Sequence, residues 1–171
     1  QILLVGCMAH IRRNFVKVVD ARGKGAKKTG SADVALQYIR KLYKIEKLAR
    51  EGGLSAGETL ALRKEKAVPI LAEFKAWMDK RVLETPPKGL LGKALSYALN
   101  HWPKLMRYLE DGRIPIDNNM AENSIRPFVI GRKNWLFAGH PNGAHAAATL
   151  YSLVETAKAC GLEPWAYLNH L

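Results

Sequence analysis

The sequence predicts a mainly α-helical protein, and two observations support this fold class. Apolar residues recur at helical spacing in three long segments that fill residues 31–110, which is typical of helices that bury one face. Short β-like apolar runs occur only at residues 2–5 and 114–116. We therefore expect at most two short strands beside the helices.

Composition indicates a soluble, globular protein with a polyanionic partner. The chain has 171 residues, of which 48% are hydrophobic, and no apolar run approaches the length of a membrane span. Lysine and arginine number 27 against 15 acids, which gives a net charge of +12. This balance favours nucleic acid over a membrane, because no single helix has a basic amphipathic anchor pattern.

The cysteines and the chain ends indicate the compartment and the completeness of the chain. Cys7 and Cys160 lie far apart in sequence, so we expect free thiols in a reducing compartment. The first five residues are too short for a signal peptide and lack its basic start. We therefore expect a cytoplasmic protein. The chain starts inside an apolar run and stops in a predicted helix, which suggests a fragment of a longer protein.

The first predicted elements are a strand at residues 2–5 and a helix at residues 8–19. Cys7 and His10 form a Cys-x-x-His pair where the two elements meet. A zinc site needs a second pair of ligands, and the sequence shows none. We therefore expect a buried junction in which His10 is hydrogen-bonded.

A basic loop at residues 21–30 precedes the long helical segments. The first of them begins at Ser31 and extends to about residue 50. A capping-box sequence, Ser55-Ala-Gly-Glu58, opens a second helix that extends towards residue 83. Pro69 lies inside this second helix and predicts a kink or a new start.

A third helical segment covers residues 90–99 and is predicted to break at Trp102-Pro103 before continuing over residues 104–110. Trp77 and Trp102 are expected to lie in the core or an interface, since large aromatic side chains are mostly buried.

Residues 114–139 contain the candidate functional residues. Asn119 is an N-cap residue type and Glu122 follows three positions later, which predicts the start of a helix. Pro127 cannot donate a helical hydrogen bond, so this helix should be about two turns long. Two interpretations of Glu122 remain open. It completes a capping box and pairs with Arg126, or it is a metal ligand aimed at phosphate.

The end of this stretch is basic and aromatic. We expect a loop here, in which the aromatic side chains stack on bases or brace the backbone. Its residues are Arg132, Lys133, Asn134, Trp135 and Phe137.

An alanine-rich helix is predicted at residues 143–160, with Gly161 at its C-cap. Pro164 then occupies the first position of a final helix. Glu155, within the alanine-rich helix, is a second candidate acid, although solvation or an internal hydrogen bond explains it more simply.

Three motif groups follow one another along the chain. They are Gly6-Cys7-x-Ala9-His10-x-Arg12-Arg13-x-Phe15, then Asp117-Asn118-Asn119-x-x-Glu122 with Ile125-Arg126-Pro127 and Gly131-Arg132-Lys133-Asn134-Trp135-Leu136-Phe137, and finally Gly161-Leu162-x-Pro164-x-x-Tyr167-Leu168. In this order, and over almost the whole chain, they resemble the transposases of the insertion sequence 66 family.

The resemblance implies a DDE-type catalytic site. The Glu of the family's Asp-Asn-Asn-x-x-Glu motif is taken as the last acid of the triad, which implies that Glu122 is catalytic and binds metal. Two Mg²⁺ ions are expected in the complete enzyme. The family's two Asp ligands lie upstream of the Gly-Cys-x-Ala-His motif and would precede Gln1. Asp117 is then a helix cap or a neighbour of the ligand.

The resemblance also implies the architecture. We expect a partial ribonuclease H-like α/β core, consisting of the last strand and the Glu-bearing helix, with a large α-helical insertion. Residues 1–145 would be the carboxyl-terminal part of the central domain, and residues 146–171 the carboxyl-terminal element. Such a fragment would be inactive alone. Met8 and Asn123 depart from the commonest family residues, Trp and Arg, but neither is a proposed ligand.

The implied function is metal-dependent DNA strand cleavage and transfer by a bacterial insertion sequence transposase. The implied partner is double-stranded DNA, at element ends and target, bound by a homo-oligomer. The candidate DNA contacts are Arg12, Arg13, Arg126, Arg132, Lys133, Asn134 and Trp135. Two alternatives are a non-catalytic basic DNA-binding regulator and a helical interaction module.

Overall fold

The computed structural model describes residues 4–23, 30–135 and 139–171, with side chains for all of these except residues 132–135. The chain divides into two compact units, Gln1–Asn118 and Asn119–Leu171, here called the amino-terminal and carboxyl-terminal units. Residues 24–29, in the predicted basic loop, lie outside the described part.

The amino-terminal unit is helical. Its described elements are α1 (Met8–Asp20), α2 (Ser31–Glu51), α3 (Ala56–Leu62), a π-helical turn (Arg63–Ala67), α4 (Val68–Leu83), α5 (Leu90–Met106) and a 3₁₀ turn (Arg107–Leu109). Helices α1 and α4 each pack against both α2 and α5. The predicted mainly helical class is confirmed. In the described ranges, no helix is long and apolar enough to cross a membrane.

Phe74 of α4 lies at the centre of an aromatic cluster and is fully buried. Its ring stacks on Tyr38 at 5.1 Å and meets the edge of Trp102 at 5.7 Å. Phe15 lies at 6.5 Å and Trp77 at 6.1 Å. Such pairs contribute about 0.5–1.5 kcal/mol each beyond their burial. The prediction of a core position is confirmed for Trp102, while Trp77 is partly buried against the core.

The predicted capping box at the start of α3 is confirmed. The Ser55 N–H donates to Glu58 Oε2 at 2.8 Å, and the Glu58 N–H donates to Ser55 Oγ at 3.3 Å. The two hydrogen bonds satisfy backbone donors that a helix start otherwise leaves unpaired. Pro69 is among the first residues of α4, so the expected new start is also confirmed, with the π-helical turn between the two helices.

Arg63, in the π-helical turn, forms a buried ion pair. Its Nε and Nη2 donate to the Glu46 carboxylate at 2.9 and 2.7 Å. Its Nη1 donates to the carbonyls of Tyr108 at 2.9 Å and Asp111 at 3.1 Å, and its guanidinium lies 5.0 Å from the Tyr108 ring centroid. One arginine thus connects α2, the π-helical turn and the segment after α5.

The predicted break at Trp102-Pro103 is wrong, because α5 runs through Pro103 to Met106. A proline in a helix interior costs about 3 kcal/mol through the lost hydrogen bond and a steric clash. Here Trp102 and Leu105 on either side of Pro103 are buried in the core, and burial of two large side chains offsets a cost of that size.

The short strands are not found where the structure describes the chain. Leu4 and Val5 are not in a strand, and residues 2–3 lie outside the described part. Residues 114–116 form a bend, with the Ile114 N–H donating to the Asp111 carbonyl at 3.1 Å. A strand needs a neighbouring strand to pair with, and the described residues offer none.

The carboxyl-terminal unit contains, in its described residues, α6 (Asn119–Trp135), α7 (Pro141–Ala159) and α8 (Pro164–His170). Helix α7 packs against α6 and α8. Gly161 follows α7 with a φ of 71°, a left-handed conformation that favours glycine at a helix end. Pro164 is the first residue of α8, as predicted, and the Glu163 carboxylate accepts from the Ala166 N–H at 2.7 Å.

Candidate active site

Two of the sequence motifs meet within the amino-terminal unit. The Met8 N–H donates to the Ile116 carbonyl at 3.0 Å, and the Gly6 N–H donates to the Lys104 carbonyl at 2.8 Å. A Cβ at Gly6 would lie 2.7 Å from the Leu105 backbone nitrogen, so this close approach requires glycine. The Gly-Cys-x-Ala-His motif is thereby fixed beside the segment that leads into Asp117.

Asp117 is bound by a residue of α2 that the sequence did not single out. The Tyr43 hydroxyl donates to Asp117 Oδ2 at 2.6 Å. Burial, reinforced by this hydrogen bond, raises the pKa of Tyr43 above its usual range. Cys7 raises and Arg12 lowers the same pKa, so both groups lie within electrostatic reach. The partners are 74 residues apart, so no local pattern signals the contact.

The Cys-x-x-His pair lies where α1 begins, since Cys7 directly precedes this helix. Both side chains are half-buried rather than fully buried as expected. The His10 N–H donates to the Cys7 carbonyl at 3.2 Å. Cys7 and Cys160 are both free thiols, as expected.

Glu122 lies in the first turn of α6 and is half-buried. A carboxylate is favoured there because the amino-terminal end of a helix carries partial positive charge. Arg126 follows one turn later and is exposed. The predicted two-turn helix is wrong, because α6 continues through Pro127. The carbonyl that loses its helical partner belongs to Asn123, which is exposed, so water can replace the missing N–H.

The predicted basic and aromatic loop is helical over its first part. The backbone of Arg132, Lys133, Asn134 and Trp135 belongs to the last turns of α6, and their side chains are not described. Phe137 lies outside the described residues.

An apolar groove lies between α6 and α7. Phe128 meets the edge of the Tyr151 ring at 5.5 Å, and both residues line a groove of about 790 Å³. Glu155 also lines it and accepts from Lys158 Nζ at 2.8 Å. The simpler interpretation of Glu155 is therefore confirmed. Glu122 does not line the groove.

The described residues do not complete a metal site. Among them, no group of three or more His, Cys, Asp and Glu side chains is arranged to hold a metal ion. A two-Mg²⁺ site requires several converging carboxylates. Glu122 has the oxygen donors that Mg²⁺ prefers, but it supplies a single carboxylate.

Charge is divided unequally between the two units. The amino-terminal unit contains 23 of the 27 lysines and arginines and 12 of the 15 acids, a net charge of +11. The carboxyl-terminal unit, which carries Glu122, has a net charge of only +1. Arg12 and Arg13, predicted to contact DNA, are exposed on α1.

Comparison with known proteins identifies relatives of much greater length. The uncharacterized proteins y4jD and y4qI of Sinorhizobium fredii are each 36% identical to the chain, over 96% and 98% of its length but only 31% and 30% of theirs. Protein y4hP of the same organism is 31% identical over 95% of the chain and 30% of its own length. The chain therefore spans about 30% of the length of these relatives.

No solved structure matches the chain with significance. The profile of the Transposase IS66 family matches residues 1–146. This range includes the Gly-Cys-x-Ala-His motif and Glu122, which the fold places in different units. Because the match extends over most of its length, the chain belongs to the Transposase IS66 family.

Proposed function

We propose that this chain is part of a DNA transposase that cleaves and transfers DNA strands, and that Glu122 is the last acid of its catalytic triad. The observation that carries the proposal is the family match over residues 1–146, which includes the Asp-Asn-Asn-x-x-Glu motif. The site supports it, because Glu122 lies at the start of a helix and the motif's first residue, Asp117, is held by Tyr43.

The proposed reaction requires metal ions that Glu122 alone does not hold. In such a site, two bound Mg²⁺ ions supply activation of the attacking hydroxyl and stabilisation of the leaving oxygen. Glu122 would hold metal through its carboxylate oxygens. In a protein of the relatives' length, the other carboxylates would come from the part that this chain does not span, about 70% of the total.

The remaining features of the proposal follow from the same resemblance. Glu122 and α6 would belong to a ribonuclease H-like core, with the amino-terminal helices as an insertion. Residues 1–145 and 146–171 would be the central domain part and the carboxyl-terminal element. The enzyme would act in the cytoplasm on double-stranded DNA as a homo-oligomer, with Arg12, Arg13, Arg126 and residues 132–135 as DNA contacts.

The test is Glu122→Gln in the full-length protein that carries this sequence. We expect strand cleavage to fall by orders of magnitude at saturating Mg²⁺, because each 1.36 kcal/mol of lost transition-state stabilisation is about tenfold in rate. A capping role alone would cost only about 1 kcal/mol of helix stability. DNA binding and the unfolding midpoint should therefore stay near those of the wild type.

Asp117→Asn is the matched control for this experiment. The amide oxygen of Asn can still accept the Tyr43 hydroxyl hydrogen bond, so we expect a milder loss of cleavage. If Glu122→Gln cleaves at the wild-type rate while Asp117→Asn is inactive, the catalytic acid is Asp117 and the assignment of Glu122 is wrong.

A non-catalytic DNA-binding regulator is a second candidate function. The unequal charge favours it, because a net charge of +11 lies in the unit that lacks Glu122. Such a protein needs no catalytic acid. Full-length protein that binds DNA but does not cleave it in the presence of Mg²⁺ would support this alternative.

A further inference from the structure

The amino-terminal unit has a basic surface that none of the predicted DNA contacts uses. Four of the exposed cations of helix α2 are here called the cationic face: Arg40, Lys41, Lys44 and Lys47. They lie opposite the side of α2 that packs into the core, where the buried residues include Ile39, Leu42 and Ile45. The fold therefore fixes the direction of the cationic face towards solvent.

The acids of α2 leave this face largely positive. Asp33, at the start of the helix, pairs with Arg22, and Glu46 points to the buried Arg63. Glu51 lies 3.5 Å from Lys47 at the far end. Between residues 34 and 45 the helix contains no acid, so its middle presents cations without neutralisation from within α2.

We propose that the cationic face of α2 binds the phosphate backbone of duplex DNA, an inference that rests on the proposed function for the identity of the polyanion. From Arg40 to Lys47 the helix rises about 10 Å, at 1.5 Å per residue. This length is comparable to the roughly 12 Å width of the major groove, whose edges are lined by phosphates. Lysine and arginine contacts to phosphate position a protein on DNA without reading sequence.

A membrane surface fits this face less well than DNA. A helix that anchors to a bilayer buries its apolar side in the headgroup region. The apolar side of α2 is already in the protein core, with Ile39 fully buried and Leu42 only 1% exposed. What remains for a ligand is charge, which suits the dense phosphates of DNA.

The experiment compares two variants of this chain that lose the same charge. The first replaces the cationic face with glutamine: R40Q, K41Q, K44Q and K47Q. The control replaces four exposed cations on other elements of the same unit: K64Q, K80Q, K88Q and K93Q. Binding to a mixed-sequence duplex is measured by fluorescence anisotropy across a salt series, and thermal unfolding checks that both variants remain folded.

We expect the first variant to lose affinity by at least about tenfold at low salt, with the slope of log affinity against log salt reduced by up to about 3.6, since each phosphate contact contributes about 0.9. The control should change the slope by less than about 1.

A third variant, K41R with K44R and K47R, keeps the positive charges and should bind as the wild type does. Vesicles of phosphatidylserine serve as the alternative polyanion. The first variant and the control should bind these vesicles equally well.

Three results would overturn the proposal. They are wild-type binding by the first variant, an equal loss in both glutamine variants, and a selective loss of vesicle binding by the first variant that matches its loss of DNA binding. A wild-type chain that does not bind duplex at all would instead contradict the DNA partner in the proposed function. Loss of cleavage in Glu122→Gln is a separate readout, so failure of the two proposals can be distinguished.

Discussion

The two units differ in how they bury apolar surface. The amino-terminal unit encloses a core in which Phe15, Phe74 and Leu95 are fully buried. In the described side chains of the carboxyl-terminal unit, only Gly131 and Ala157 are buried. Its exposed apolar residues include Met120, Ile125, Ile130, Leu150, Trp165 and Leu171. We infer that most of the folding free energy of this chain comes from the amino-terminal unit, because apolar burial dominates stability.

The two units also differ in net charge. The well-packed unit carries nearly all of the net positive charge, and the unit with little burial carries the proposed catalytic acid. The amino-terminal unit, with its buried core, can hold a DNA-binding surface without further support. Helix α6, which carries Glu122, lies in the unit that buries little apolar surface, so we infer that the proposed acid is held less rigidly than the core of the amino-terminal unit.

The largest expected effect is in the aromatic core. Phe74→Ala should lower the free energy of unfolding by about 3–5 kcal/mol, because a fully buried phenylalanine leaves a cavity. Trp165→Ala in the other unit should change it by at most about 0.5 kcal/mol, since Trp165 is 73% exposed. Urea unfolding of each variant, followed by circular dichroism, measures both. Similar losses would contradict the difference between the units.

The next effect concerns the buried ion pair. Arg63→Ala should cost about 3 kcal/mol, because it leaves the Glu46 carboxylate and two carbonyls without their partner in a buried site. Lys75→Ala, which removes an exposed i,i+4 pair with Asp79, should cost at most about 0.5 kcal/mol. Urea midpoints distinguish the two. Equal midpoints would show that the arginine is not buried in solution.

A smaller effect, with a pH signature, is expected at Tyr43. Tyr43→Phe should cost about 1.5 kcal/mol at neutral pH, as for a hydrogen bond to a charged group. Folding raises the pKa of Tyr43 above its unfolded value of 10.0. The contribution of Tyr43 to the free energy of unfolding is therefore fully present below pH 10 and is lost as the pH rises above 10.

Wild-type stability should therefore fall steeply above pH 10, and less steeply in Tyr43→Phe. Some slope should persist, because burial also raises the pKa of Tyr108. Thermal unfolding at a series of alkaline pH values makes the comparison. An identical slope in both proteins would mean that the Tyr43–Asp117 hydrogen bond does not form.

The smallest effect separates two helix caps. Ser55→Ala should destabilise the amino-terminal unit by about 1 kcal/mol, the usual cost of losing a serine N-cap. Glu163→Ala removes the cap of α8 in the other unit and should leave the main unfolding transition unchanged. Differential scanning calorimetry of both variants is the measurement. A shift of the main transition by Glu163→Ala would show that the units unfold together.

Local signals in the sequence were sufficient for much of the fold. The start of α1 near Met8, the capping box at Ser55 and the first residue of α8 at Pro164 were all predicted, because each depends on residues within one helical turn. No strand forms at residues 114–116, where at most a short one was expected, and the helix end at Pro127 was predicted wrongly. Strand formation depends on a partner, and tolerance of a proline depends on surroundings, neither of which a local pattern contains.

The candidate site was predictable only in part. Glu122 was found from a motif, and its helical position is confirmed. Tyr43 was missed because its partner, Asp117, is brought near by the packing of the whole unit. A tyrosine within a long helix gives no signal for such a contact.

The π-helical turn at Arg63–Ala67 has a consequence for how this sequence can change length. A π-helical turn accommodates one residue more than an α-helix would. Deleting one exposed residue of this turn, Lys64, would therefore let α3 and α4 merge into a single regular α-helix without rotating the part that follows. Leu71, Phe74 and Met78 would keep facing the core. Deleting one residue in the middle of α4 would instead rotate the rest of that helix by about 100°. A one-codon deletion should thus be tolerated better in the π-helical turn than in α4, provided that Arg63 and its ion pair with Glu46 are kept.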